Sequence, residues 1–81
     1  MSKRPELFLY SRASCSLCDR LGAALDRRGL VYHLIDVDTD PELRHLYGAR
    51  VPVLVADNVE ICEGRFDELV LERLARSLSP A

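Results

Sequence analysis

Cys15-Ser16-Leu17-Cys18 stands between an apolar run, Leu7-Phe8-Leu9-Tyr10, and a stretch of helical spacing from Leu21 to Leu25. The pair therefore reads as a dithiol at a strand-to-helix junction. Two thiols three residues apart on the first turn of a helix lie on one side, close enough to form a disulfide with little backbone movement. Unpaired N–H groups and the positive end of the helix dipole favour a thiolate at Cys15, which makes it the expected nucleophile, with Cys18 shielded behind it. The bland reading is two small buried side chains. Zinc would need further ligands, and Cys62, His33 and His45 do not stand at finger spacing.

Eighty-one residues suit one domain, 1–81, burying roughly 60 to 65% of its unfolded surface in one modest core. The formal charge of -2 argues against nucleic acid or an anionic membrane as partner. Lys3 and Arg4 precede an apolar run of only four residues, far short of a signal-peptide core or a spanning helix, so a cytoplasmic location is expected. Thiols there are kept reduced, and three cysteines, an odd number, argue the same way against a structural staple.

Leu7 to Tyr10 reads as a buried first strand, followed by a helix of about three turns that Gly29 ends in a left-handed turn. Val31 to Ile35 reads as a second strand, parallel to the first, with Asp36 to Asp40 a turn or cap cluster. Asp40-Pro41 opens a short second helix whose apolar side is Leu43, Leu46 and Tyr47, closed by Gly48. Val51 to Ala56 and Val59 to Cys62 flank the turn signal Asp57-Asn58 and read as a hairpin. Asp67 caps a last helix with a wide apolar face of Leu69, Val70, Leu71, Leu74, Ala75 and Leu78, before Pro80. The expected fold is α/β, in the order β-α-β-α-β-β-α: a four-stranded mixed sheet with helices on both faces.

This order, the position of the dithiol after the first strand and a Val-Pro opening the third strand resemble the thioredoxin fold and, at this size, a glutaredoxin, over Leu7 to about Leu78. Tyr10-Ser11-Arg12-Ala13-Ser14-Cys15-Ser16-Leu17-Cys18 is similar to the glutaredoxin segment Tyr-Ser-Lys-x-x-Cys-Pro-Tyr-Cys. Together with Tyr47-Gly48-x-x-Val51-Pro52-Val53 it also resembles a group of short bacterial glutaredoxin-like proteins. The resemblance implies that Arg12 replaces the family lysine, favouring the Cys15 thiolate or pairing with a carboxylate of glutathione. The helix dipole alone supplies about 0.3 to 1 kcal/mol, while one pKa unit is about 1.4 kcal/mol, so a large shift would need Arg12 or other donors.

Arg50-Val51-Pro52 resembles the family's Thr-Val-Pro, which implies a cis bond and a Val51 backbone presented to a substrate or glutathione. Glu63-Gly64-Arg65-Phe66-Asp67 stands at the family's Gly-Gly-x-x-Asp, with only Gly64 and Asp67 matching. Amides of Phe66 and Asp67 could hold a carboxylate there; the alternative for Asp67 is a plain N-cap. Cys62 is expected to pack, His33 and His45 to lie at the surface, and Arg27-Arg28 and Arg73 with Arg76 to form solvated faces.

The function implied is a monomeric thiol-disulfide oxidoreductase with no bound cofactor. It would reduce protein disulfides or glutathione mixed disulfides, with glutathione as electron donor. Two alternatives are a redoxin served by thioredoxin reductase and a non-catalytic module holding a partner strand or an iron–sulfur cluster.

Overall fold

A computed structural model describes residues 5–78; Lys3, Arg4 and Pro80 lie outside them. Four strands, β1 (Leu7–Ser11), β2 (His33–Asp36), β3 (Val53–Ala56) and β4 (Val59–Glu63), form one sheet in the order β2-β1-β3-β4. β1 pairs in parallel with β2 and antiparallel with β3, and β3 pairs antiparallel with β4. Three helices connect or follow them: α1 (Ser16–Arg27), α2 (Pro41–Tyr47) and α3 (Glu68–Leu78). This is the thioredoxin-like arrangement, a mixed sheet with three helices.

Strand alternation decides which helix covers which face. Leu7, Leu9, Leu54 and Ala56 point one way and pack with Leu21, Ala24 and Leu25 of α1 and Leu71 and Leu78 of α3. Most of these are entirely buried, and each large aliphatic side chain so placed stabilises the fold by about 1.5–3 kcal/mol. On the opposite face, Tyr10 stacks on Tyr47 of α2 with ring centroids 4.2 Å apart, and Phe8 stacks on His33 at 4.8 Å. Val53 and Val55, opposite Tyr10 and Phe8 across the β1–β3 ladder, are both buried.

Local signals explain the ends of the elements. Gly29, at φ +68°, follows the α1 C-cap Arg28. The Leu30 amide bonds the Leu25 carbonyl at 3.0 Å and the Gly29 amide bonds that of Asp26 at 3.0 Å, so the last carbonyls of α1 are satisfied. Asp40 caps α2 through a 2.8 Å bond from the Glu42 amide, with Pro41 in the first turn. Asp57 and Asn58 both have positive φ, 49° and 67°, as a tight two-residue hairpin turn requires.

Four expectations need adjustment. β2 begins at His33, because Val31 is 88% exposed and extends past the start of the β1 ladder. β3 begins at Val53, since Val51 and Pro52 form the bend that enters it. α2 buries none of its residues, Leu46 standing 55% exposed, and it meets the sheet mainly through Tyr47. The buried side of α3 is narrower than its apolar pattern, for Leu69 is 63% exposed.

Candidate active site

The antiparallel pairing of β1 and β3 brings the exit of the first to the entrance of the second, with Tyr10 opposite Val53. The dithiol loop follows β1 and Val51-Pro52 precedes β3, so the two segments meet at one end of the two central strands. Ser14, at φ +62°, occupies the left-handed region that serine enters only at a cost, and turns the chain from the strand into α1.

Cys15 is the N-cap of α1, with extended backbone at φ −104° and ψ 104°. The amide of Cys18 donates to its Sγ at 3.2 Å, so sulfur replaces the oxygen that usually fills this role. Cys15 is half-buried and Cys18 is 4% exposed. The two are joined as a disulfide with Cα atoms 5.2 Å apart, within the normal range for such a bond. Asp19, next to Cys18, is exposed.

The two arginines beside the dithiol have partners that reading along the chain missed. Arg12 forms two parallel bonds to Asp38, Nε to Oδ2 at 3.0 Å and Nη2 to Oδ1 at 2.9 Å, and donates Nη1 to the Gly48 carbonyl at 3.3 Å. Asp38 raises the Arg12 pKa further, keeping it a fixed cation whose hydrogen bonds all go to Asp38 and Gly48 and none to sulfur. The pairing of Ser11 with Asp36 ends the β1–β2 ladder, and the single 3-10 turn Val37–Thr39 that follows carries Asp38 to Arg12.

Arg50 bonds Glu63 through Nε at 3.2 Å, bonds Glu60 through Nη2 and the Leu46 carbonyl through Nη1 at 3.2 Å, and lies 5.7 Å from the centre of the Tyr47 ring. These two carboxylates raise its pKa in turn. The position that resembles the family threonine therefore holds a cation already paired, and the position of a family glycine supplies one of its two carboxylates, Glu63.

The Val51–Pro52 peptide bond is cis, and Pro52 is buried. The Gly64 amide donates to the Pro52 carbonyl at 2.8 Å, with Gly64 at φ +64°, tying the end of the hairpin to the bend. Among the described residues nothing hydrogen-bonds to the Val51 amide or carbonyl. Asp67 is an N-cap: its Oδ1 accepts from the Leu69 amide at 2.9 Å. Phe66 is half-buried against the core.

The remaining singled-out residues lie apart. Cys62 is half-buried against the core, which pushes its thiol up. His45 and Arg73 are exposed. Arg28, expected on a solvated face, has only 17% of its side chain exposed, because it bonds the Ala24 carbonyl at 3.2 Å and pairs with Glu68. Among the described residues no group of three or more His, Cys, Asp or Glu is placed to hold a metal ion. No described helix is long and apolar enough to cross a membrane.

Among solved structures, the chain is similar to protein XcR50 of X. campestris, with 32% identity, 91% of this chain and 99% of that one covered, and a TM-score of 0.75. It is similar to Ne2328 of Nitrosomonas europaea at 28% identity, covering 98% and 96%, TM-score 0.72. It also matches the glutaredoxin-like NrdH-redoxin of Escherichia coli, described as having a thioredoxin-like activity profile, at 26% identity, covering 94% and 97%, TM-score 0.67. No curated protein matches the sequence. The model of the glutaredoxin-like domain (DUF836) matches residues 6–79, and with the dithiol and the sheet in the places described, the chain belongs to that glutaredoxin-like family.

Proposed function

We propose that the chain is a thiol-disulfide oxidoreductase acting through Cys15 and Cys18. The observation that carries this reading is the asymmetry of the pair: one sulfur half-exposed at a helix N-cap and bonded by an amide, the other buried beneath it. The Cys15 thiolate attacks one sulfur of a substrate disulfide, forming a mixed disulfide and expelling the other substrate sulfur as a thiolate. Cys18, once deprotonated, attacks the Cys15 sulfur, releases the second substrate thiol and closes the Cys15–Cys18 disulfide. Two electrons from a donor then reopen it. The free Val51 amide and carbonyl offer strand-like pairing to the substrate, and Pro52, Gly64 and Phe66 shape that edge.

Glutathione is one donor consistent with family membership, held by Val51 and the amides of Phe66 and Asp67. A second donor, thioredoxin reductase, is favoured by one observation: Arg12 and Arg50 are both already paired with carboxylates. It also agrees with the activity described for the NrdH-redoxin. A cytoplasmic monomer with no bound cofactor fits this use of reduced thiols.

The test is reduction of 2-hydroxyethyl disulfide and of a protein disulfide, with glutathione or thioredoxin reductase as donor, by wild type, Cys15→Ser and Cys18→Ser. Cys15→Ser should be inactive with both substrates. Full activity in that variant would falsify the reading, and comparison of the two donors decides between them.

A further inference from the structure

Between α1 and the start of α3 lies an open groove of about 550 Å³ lined by apolar Leu17, Ala23 and Phe66 and by Arg20, Arg27, Arg65 and Glu68. Leu17 is one of the two residues between the cysteines. Phe66 and Arg65 directly follow Gly64, whose amide holds the Pro52 carbonyl. The groove therefore borders the helix turn that carries the dithiol and the segment tied to the bend before β3.

Its charge is unbalanced. Three guanidiniums face one carboxylate, and that carboxylate, Glu68, is shared between Arg27 at 3.5 Å and Arg28 from outside the groove. Among the described residues Arg20 and Arg65 form no ion pair. The contrast with Arg12 and Arg50 is direct, since carboxylates hold both of those. In a chain whose formal charge is -2, the unneutralised positive charge beside the dithiol is concentrated in this groove, which Leu17, Ala23 and Phe66 also line.

Resting on the dithiol reading above, we infer that this groove is a docking site for the segment flanking the reactive cysteine of a protein disulfide. The segment carries an apolar residue that sits between Leu17 and Phe66 and an aspartate or glutamate that meets Arg20 and Arg65. Complementary charge of this kind acts mainly on the rate of encounter and weakens with salt.

The experiment uses fully reduced protein in a single turnover, so that no electron donor enters. Its substrates are three peptide disulfides of identical length that flank the cysteine with a leucine and with two glutamates, two glutamines or two lysines. The second-order rate should fall in that order, by about tenfold from glutamate to lysine at low ionic strength, and the spread should shrink in high salt. The double variant Arg20→Glu with Arg65→Glu should invert the order. Equal rates for the three peptides in wild type overturn the docking site while leaving the dithiol reading intact. A wild-type preference that survives the double variant does so too. A loss in that variant confined to glutathione disulfide overturns it in favour of a small-anion site. Failure of reduced wild type to react even with 2-hydroxyethyl disulfide overturns the reading beneath it.

Discussion

The amide of Cys18 points at the sulfur of Cys15 from 3.2 Å, so the second cysteine supports the first through its backbone as well as through its thiol. A serine at position 18 keeps that amide. Cys18→Ser should therefore still form a mixed disulfide through Cys15 but fail to release product, and mass spectrometry should show it trapped as the adduct with a protein disulfide substrate.

Cys15 and Cys62 should also differ in reactivity. Burial raises the Cys62 pKa, whereas Cys15 receives an amide at the positive end of a helix. In reduced protein at neutral pH, iodoacetamide should label Cys15 well before Cys62, as peptide mapping would show.

The same raised value links Cys62 to stability. A thiol that holds its proton more tightly when folded contributes stability that is fully present below the ordinary thiol range, about pH 8.5. That contribution is lost as pH rises through the folded value. Unfolding midpoints should fall in that alkaline window and the fall should be smaller in Cys62→Ala, before Tyr10 and Tyr32, also raised from their ordinary value near 10, begin to ionise.

Glu63 and Arg50 separate the two donor readings. If their ion pair obstructs glutathione, Arg50→Thr with Glu63→Gly removes a fixed carboxylate and a bulky side chain from the edge beside Val51. Glutathione-dependent turnover should then rise, by roughly fivefold, with thioredoxin-reductase turnover unchanged. No change in the glutathione rate would remove this pair as the reason.

Asp67 is tested as a cap by comparing two variants. Asp67→Ala should cost about 1 kcal/mol in urea unfolding, while Asp67→Asn, whose side chain still accepts from the Leu69 amide, should cost less. For scale, Leu21→Ala, at a fully buried core position, should cost about 2–5 kcal/mol.

What could be read in advance was local. The order of elements, the caps at Asp40 and Asp67 and the Asp57-Asn58 turn follow from signals within a few residues of one another, and the dithiol stands where its neighbours place it. The partners of Arg12 and Arg50 were not legible, because they belong to other elements: Asp38 is brought up by the turn that follows the β1–β2 ladder, and Glu60 and Glu63 by the β3–β4 hairpin. That hairpin also carries an irregularity, since Leu54 pairs with Cys62 and Val55 with Glu60, leaving Ile61 as an extra residue that strict alternation does not foresee. Leu69 and Leu46 mislead for the complementary reason: periodicity marks an apolar stripe but not how much of it a small sheet can cover.

The Asp57-Asn58 turn closes the β3–β4 hairpin beside the start of β1, where the Asp57 amide bonds the Glu6 carbonyl at 3.3 Å. The dithiol follows the other end of β1, five residues and roughly 16 Å along the strand. The molecule thus has a handle opposite its working tip: a dye, a surface tether or an inserted recognition tag at Asn58 would leave the Cys15 end facing open solution, so that an immobilised layer of the protein would present every such end outward.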